Sequence, residues 1–241
     1  MPTIGEIAVK GSEIVAAVPV PSSNPDEVLA QSEPPAEAFH GADALAQALA
    51  SRAPWIWLLG PRVRPRPDAL ERLVQCARPS GEPPASLLAG MVIDGAGGAV
   101  GPELPAGGGR ELADVVRLAG RSLLPIRHSS FANCLVARQC FLDHGFPEFS
   151  RYGRYAPAEW SARVLRSGAG YFVPASIAVH EGSASRQEAL ASIPALARMA
   201  RTGVFTRGET LAAVRLLTGE LIAGAGAPPA PPQGATPWRP E

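Results

Sequence analysis

Short apolar runs alternate with stretches of helical periodicity along the first half of the chain. The run WIWLL at 55–59 is apolar throughout and is flanked by prolines, which predicts a buried central strand. Just upstream, residues 42–50 are strong helix formers that end before Pro54. The same criteria predict further strands at 13–20, 86–93, 131–136 and 170–179, and further helices from Pro67 and at 138–144, 158–166, 186–200 and 209–222.

This alternation predicts an α/β fold, a three-layer sandwich around a mixed, mostly parallel sheet. One domain is expected over residues 1–222, with its C-terminal helices at about 186–222, and the proline-rich stretch 223–241 is expected to be disordered. Residues 94–98 predict a hairpin turn. Ligands of open sheets bind beyond the carboxyl ends of the strands, so chemistry is expected in the loops after Leu59 and around Tyr155.

Composition narrows the function classes. The chain has 22 basic and 22 acidic residues, so it carries no net positive charge that would attract nucleic acid. Three cysteines without a CxxC pair argue against a disulfide framework or a zinc site and favour a reducing cytoplasm. We expect no signal peptide, and no stretch approaches the ~20 apolar residues of a membrane helix.

Three segments in register resemble family-2 glycosyltransferases. Residues 55–74, WIWLLGPRVRPRPDALERLV, resemble the segment in which a buried strand leads to an Asp-x-Asp motif and then a helix. Residues 131–148, FANCLVARQCFLDHGFPE, and residues 155–181, YAPAEWSARVLRSGAGYFVPASIAVHE, resemble the acceptor-side elements and the Glu-Trp helix with the strand after it. The resemblance covers about residues 40–181 and implies a GT-A fold and a nucleotide-sugar or a glycan acceptor as ligand.

The acidic residues that this family uses are missing. Gly60 and Arg62 occupy the Asp-x-Asp positions, so the family's divalent metal has no ligands here and no cofactor is expected. The acidic pair that supplies the catalytic base falls on Ala156 and Pro157. About forty residues precede the first matching helix, which leaves room for little more than one of the family's two initial strands. An abbreviated nucleotide-binding half is therefore expected.

The retained polar residues allow a functional and a structural interpretation. Arg62 and Arg64 are candidates to bind a diphosphate directly, although solvated loop charges are the favoured interpretation. Glu159 is a candidate substitute base, or it stabilises the helix N-terminus. Arg163, a substrate-binding candidate, lies one turn away, and an i,i+4 ion pair with Glu159 is the simpler explanation of both residues.

Two further substrate-binding candidates come from the third segment. Trp160 is a candidate to stack on a sugar, but a tryptophan on such a helix is more often part of the core. His180 ends a strand where the family places a metal or diphosphate contact, and a role in the loop is at least as well supported.

The sequence thus favours a glycosyltransferase-like protein with impaired catalysis and a binding, scaffolding or regulatory role. An active glycosyltransferase or another protein of its pathway is the expected partner. The alternative is an active, metal-independent inverting enzyme that moves a sugar to an envelope glycan or another acceptor. A cytoplasmic location, or one peripheral to the inner face of the membrane, is expected, because the C-terminal helices either pack on the domain or present an apolar face to a partner or membrane.

Overall fold

The computed structural model describes residues 14–18, 37–40, 44–51, 53–60, 63–77, 83–94, 123–180 and 186–223. The chain forms two compact units, Met1–Gly182 and Ser183–Glu241. The division falls at the start of the predicted C-terminal helices. The predicted hairpin at 94–98 and the proline-rich stretch at 223–241 lie almost entirely outside the described residues.

The elements of the first unit alternate between strand and helix. Its strands are β1 (Ile14–Val18), β2 (Glu37–His40), β3 (Trp55–Leu59), β4 (Val63–Pro65), β5 (Ala85–Ile93), β6 (Leu124–Pro125), β7 (Asn133–Ala137) and β8 (Ala169–His180). Its helices are α1 (Ala44–Ala50), α2 (Ala69–Gln75), α3 (Arg138–His144), α4 (Phe149–Tyr152) and α5 (Ala156–Val164), with a 3-10 turn at Gly153–Tyr155 before α5. Most of the predicted elements are confirmed, whereas the short elements β4, β6 and α4 lack a sequence signal.

All eight described strands form one mixed sheet in the order β2-β1-β3-β7-β5-β8-β4, with β6 also paired to β8. Three neighbouring pairs are parallel, β1–β2, β1–β3 and β5–β8. The other four, β3–β7, β5–β7, β4–β8 and β6–β8, are antiparallel. The α/β class and the mixed sheet are confirmed, and five of the eight described strands, β1, β2, β3, β5 and β8, run in the same direction. Strand β7 runs in reverse between β3 and β5, and strand direction leaves no trace in hydrophobic periodicity.

The N-terminal part of the sheet is fuller than the sequence indicated. Both β1 and β2 precede helix α1, and they pair in parallel from Val15 opposite Glu37 to Val18 opposite His40. The expectation of little more than one strand in this stretch was wrong. Strand β2 spans only four residues, EAFH, and gives no extended apolar run from which to predict it.

Strand β3 lies at the centre of the sheet and both of its faces are covered. Trp57 and Leu59 belong to one apolar cluster with Leu70 and Leu73 of α2. The alternate residues of β3 belong to a second cluster on the opposite face, with residues of α3 and α5. Four of its five residues are buried, which confirms the prediction of a buried central strand.

The second unit contains two long helices, α6 (Arg186–Arg201) and α7 (Arg207–Ala223). Both were predicted within two residues of their observed ends. Its described side chains include five buried apolar ones, Ala195, Leu196, Met199, Phe205 and Leu217. Among the described residues, no helix has the length and hydropathy needed to cross a membrane.

Candidate functional site

The sheet topology defines where a ligand site is expected. Strand β1 has β2 on one side and β3 on the other, and both neighbours run parallel to it. From β1 the chain passes to β2 on one side of it. After α1 the chain returns to the other side of β1 and forms β3 there. A crevice opens at the carboxyl ends of two parallel strands where the direction of winding reverses in this way. The site is thus expected beyond Val18 and Leu59, as the sequence predicted for the loop after Leu59.

Gly60 follows β3 directly at this edge and packs closely against the neighbouring chain. Its N–H donates to the carbonyl of Ala132 at 3.0 Å, and its carbonyl accepts from the N–H of Val63 at 3.2 Å. A Cβ at position 60 would lie 3.2 Å from both Ala132 Cα and Val63 Cγ2. The position therefore lacks a ligating side chain and offers little room for one. Arg62 lies outside the described residues.

Arg64 and His180 come from adjacent strands but not from the same face of the sheet. In the β4–β8 pair, Val63 lies opposite His180 and Arg64 lies opposite Val179. Side chains of directly opposed residues share a face, and successive residues alternate between faces. Arg64 is exposed and His180 is partly buried. The side chains of Arg64 and His180 therefore lie on opposite faces of the sheet, although their strands are neighbours.

Glu159 and Arg163 form an ion pair within helix α5. Arg163 Nε and one terminal guanidinium nitrogen each approach a different carboxylate oxygen of Glu159 at 3.3 Å. The other terminal nitrogen donates to the carbonyl of His144 at 2.6 Å. The Glu159 side chain is 11% exposed and that of Arg163 is 30% exposed. The geometry matches the structural interpretation of this pair, because both carboxylate oxygens of Glu159 are already engaged.

Trp160 is a core residue. It is fully buried, and its indole N–H donates to the carbonyl of Gly145 at 2.6 Å. Its ring stacks on Phe141 with 4.5 Å between centroids and meets the edge of Phe131 at 5.3 Å. No ring face remains for a sugar. As a substrate-binding candidate Trp160 is thus corrected by the structure, because packing against Phe141 and Phe131 leaves its side chain with no exposed surface.

The start of α5, where the resemblance implies an acidic pair, is apolar and closed. Ala156 has no exposed surface, and Pro157 and Ala158 are also buried. The 3-10 turn Gly153–Tyr155 leads into the helix, and proline suits the first helical turn because it has no N–H to be satisfied there. The first turn of α5 therefore has the methyl group of Ala156 and the pyrrolidine ring of Pro157 at the positions where the resemblance implies carboxylates.

A chain of buried polar side chains that the sequence did not predict crosses the sheet. The indole N–H of Trp57 donates to Asn133 Oδ1 at 3.0 Å, and Asn133 Nδ2 donates to Ser176 Oγ at 3.1 Å. Ser176 Oγ in turn donates to the carbonyl of Ala69 at 2.8 Å. The chain joins β3, β7, β8 and α2. Its one sequence signal is an asparagine that starts the apolar strand NCLVA, and no spacing rule connects it to Ser176.

Phe131 is a second feature without a sequence signal. It has a backbone φ of 65°, in the left-handed region that a bulky residue rarely adopts. It precedes Ala132, whose carbonyl receives the N–H of Gly60. Strained backbone of this kind concentrates at functional sites and is held by the surrounding structure. The strain therefore lies directly beside the carboxyl edge of β3.

The described residues contain no group of three His, Cys, Asp or Glu side chains placed to hold a metal ion. The nearest acidic residue to the helix start, Glu159, is paired with Arg163.

Comparisons with known proteins give low similarity. No family model and no curated protein matches the chain. Among solved structures 91 chains are similar to it. GalNAc-T7, crystallised with UDP, GalNAc and Mn2+, is 14% identical with a TM-score of 0.44, over 70% of this chain and 38% of that one. A mycobacterial protein is 16% identical with a TM-score of 0.44, over 81% of this chain and 65% of that one.

The chain therefore spans less than two thirds of either of these two proteins. Similarity this low does not transfer a fold family or an activity to the chain.

Proposed function

We propose that this chain is a glycosyltransferase-like protein with impaired catalysis that binds a nucleotide-sugar or a glycan. Its role is one of binding, scaffolding or regulation, with an active glycosyltransferase or another protein of the same pathway as partner. Three sequence segments in register support the family resemblance, and the reversal of winding at β1 and β3 supports a ligand edge beyond Leu59.

The proposal that catalysis is impaired is supported by the residues at the start of helix α5. Glu159 is the acidic side chain retained near the helix start, and Arg163 engages both of its oxygens at 3.3 Å. A general base must reach the proton that it removes, within about 3 Å or through one water. A carboxylate held by a guanidinium fork and 11% exposed is poorly available for this task. Ala156 and Pro157 provide no replacement.

The surroundings of Gly60 support the proposal that this chain does not bind a diphosphate through a metal ion. In the family that the sequence resembles, carboxylates after the central strand hold a divalent cation beside the diphosphate. Here the backbone of Gly60 packs against Ala132, and a side chain would meet atoms of Ala132 and Val63 at 3.2 Å. Neutralisation of a diphosphate falls to arginine, whose planar fork suits phosphate oxygens. Arg64, exposed on β4, is the described candidate for this contact.

The test is a calorimetric titration of the full chain with UDP-sugars and dTDP-sugars, with and without manganese. We expect saturable binding that manganese does not change and no release of sugar. Arg64→Gln is expected to weaken binding by about tenfold, since it removes a charge-assisted contact worth roughly 1.5 kcal/mol. Arg72→Gln, which changes an exposed arginine of α2, is the matched control and should bind like the parent protein.

A second candidate function is active, metal-independent inverting transfer with Glu159 as the base. The retention of Glu159 at the helix start favours it, provided that Arg163 turns away when ligand binds. Sugar release that disappears in Glu159→Gln would establish this alternative and overturn the impairment. Absence of nucleotide binding at millimolar concentration would exclude both nucleotide-dependent forms and leave the glycan and partner-protein roles to be tested.

A further inference from the structure

One face of the sheet becomes partly exposed towards the carboxyl ends of β5 and β8. Nearer the amino end of β5, Leu87 and Ala89 of this face are buried in the apolar cluster that includes residues of α3 and α5. Further along, the alternating residues of the same face are only partly buried. They are four aliphatic side chains, which we call the aliphatic floor: Met91, Ile93, Ile177 and Val179. None of the four belongs to either of the two apolar clusters of the described residues.

Strand register shows that the aliphatic floor is one surface. In the parallel β5–β8 pair, Met91 lies opposite Ile177, and Ile93 lies opposite Val179. Directly opposed residues share a face, and so do residues two apart on one strand. The intervening Ala178 is buried on the other face, in the cluster that contains residues of α2. The register therefore places the four side chains of the floor next to one another.

Two arginines flank the aliphatic floor on its β4 side. Arg64 lies opposite Val179, and the N–H of Arg66 donates to the carbonyl of Ile177 at 2.9 Å, which continues the same antiparallel register. Both arginines are exposed and lie on the face of the floor, roughly 7 Å apart along the chain. Strands β4, β5 and β8 contain no Asp or Glu. Asp94, the residue directly after β5, continues the alternation onto the opposite face.

We infer that the aliphatic floor and its two arginines bind an anionic amphiphile, a phosphate or diphosphate carried on an apolar chain. The guanidinium groups bind the phosphate oxygens, for which their planar fork is suited, and the apolar chain covers the floor. The inference goes beyond the proposed function, since neither a nucleotide-sugar nor a glycan carries an apolar chain. Arg64 is common to both proposals, whereas Arg66 and the floor belong to this one alone.

The size of the aliphatic floor favours a single apolar chain over a protein partner. Neighbouring strands lie about 4.8 Å apart and side chains of one face repeat every ~7 Å, so four side chains cover on the order of 100 Å². A stable protein interface covers about 800 Å² on each partner. A second copy of the chain joined through this face would also bring arginines towards arginines. A small amphiphile therefore matches both the area and the charge.

The experiment is a calorimetric titration of the full chain with geranyl diphosphate, inorganic pyrophosphate and geraniol. Geranyl diphosphate combines the apolar chain with the anionic group, and each of the other two compounds carries one of them. Burial of about 100 Å² of apolar surface strengthens binding by roughly 50-fold. We therefore expect geranyl diphosphate to bind at least about tenfold more tightly than either reference compound. Equal affinity for geranyl diphosphate and either reference compound, or no binding at millimolar concentration, would overturn the inference.

Two variants separate the apolar and the charged contributions. Ile177→Thr with Val179→Thr keeps branching at Cβ but places hydroxyl groups in the floor. Geranyl diphosphate should then bind at least about tenfold more weakly, while pyrophosphate binds as it does to the parent protein. Arg66→Gln should weaken the binding of both diphosphates by about tenfold, because it removes a charge-assisted contact at an exposed position. An unchanged preference for geranyl diphosphate in a threonine variant with the parent circular dichroism spectrum would reject the floor as the binding surface.

Matched controls carry the same kinds of substitution elsewhere. Val214→Thr changes an exposed side chain of α7, and Arg72→Gln changes an exposed arginine of α2, so both should bind the three compounds like the parent protein. UDP-sugars are titrated in parallel. UDP-sugar binding without a preference for geranyl diphosphate would reject this inference alone, whereas the reverse result would support it and reject nucleotide binding. A dimer that Ile177→Thr with Val179→Thr dissociates would establish a second copy as the occupant and overturn the inference.

Discussion

At the scale of single residues, one polar side chain organises the middle of the sheet. Asn133 accepts the indole N–H of Trp57 and donates to Ser176, which continues the chain to the backbone of α2. Asn133 is 1% exposed, so none of these groups can exchange its partner for water. A buried polar group that loses its partner retains the full cost of leaving water. Asn133 therefore specifies how β3, β7 and β8 align.

Replacement of Asn133 by alanine is predicted to destabilise the protein by about 3 kcal/mol, because it leaves a cavity and an unpaired indole N–H of Trp57. Urea unfolding followed by tryptophan fluorescence measures the change. Gln139→Ala is the control, since it removes an exposed amide whose bond to Asp143 faces water. It should change the free energy of unfolding by less than about 0.5 kcal/mol, and an equal effect of the two variants would refute this role for Asn133.

Cys140 is predicted to make the free energy of unfolding depend on pH in the alkaline range. Burial raises the pKa of its thiol from 9.0 to about 11, because the charged thiolate is poorly solvated in the folded protein. The folded state thus holds its proton more tightly than the unfolded state. Stability from this group is complete below about pH 9 and is lost as the pH rises towards about 11.

Cys140→Ala is accordingly predicted to lose less stability than the parent protein between about pH 9 and 11. The measurement is urea unfolding of both proteins at several pH values across this window. The difference between the two curves isolates Cys140, because the other groups that titrate there, Cys76 included, are common to both proteins. Parallel curves would show that the thiol does not contribute.

At the scale of elements, close contact between strands depends on a missing side chain. Gly90 lies within β5, and a Cβ at this position would meet Ser176 Oγ at 2.7 Å and Asn133 Cγ at 2.8 Å. The buried polar chain can therefore run beside β5 only where β5 has no side chain. Gly219, in α7, is the opposite case, because a Cβ there meets no atom within 4 Å.

The same substitution at these two glycines is predicted to have opposite effects. Gly90→Ala should destabilise the protein by about 2 kcal/mol, because it forces Asn133 and Ser176 apart. Gly219→Ala should stabilise α7 by up to about 1 kcal/mol, because alanine loses less backbone entropy in a helix. Thermal melting by circular dichroism compares them, and a stabilising Gly90→Ala would contradict the packing described for β5.

At the scale of the whole molecule, the described sheet has the reversal of winding at which α/β proteins bind ligands, and the described residues contain no group of three His, Cys, Asp or Glu side chains placed to hold a metal ion. Acidic and basic residues balance at 22 each.

This combination predicts that manganese does not stabilise the protein. A ligand that binds the folded state raises the melting temperature in proportion to the logarithm of its concentration above Kd, and we expect no such rise up to millimolar manganese. Differential scanning fluorimetry with magnesium as a second cation measures it. A reproducible, saturable rise with manganese would reveal a metal site and contradict the proposed absence.

Much of the fold follows from local pattern. The apolar run of β3 and the periodicity of α3, α6 and α7 predicted these elements to within two residues, because burial on two faces or on one helical face imposes a distinct spacing. The short strands β2, β4 and β6 were not predicted. They are too short to carry a period, and partner strands distant in the sequence determine them.

The candidate site also has features that local sequence predicts and features that only long-range contacts decide. The sequence by itself determined that Gly60, Ala156 and Pro157 carry no carboxylate and that Glu159 and Arg163 lie one turn apart, since residue identity and helical spacing suffice for both. Only the tertiary structure decided that Trp160 is buried between Phe141 and Phe131, that Arg64 and His180 face opposite ways, and that Asn133 bridges three elements. These facts depend on contacts between residues far apart in the chain, and local spacing contains no information about such contacts.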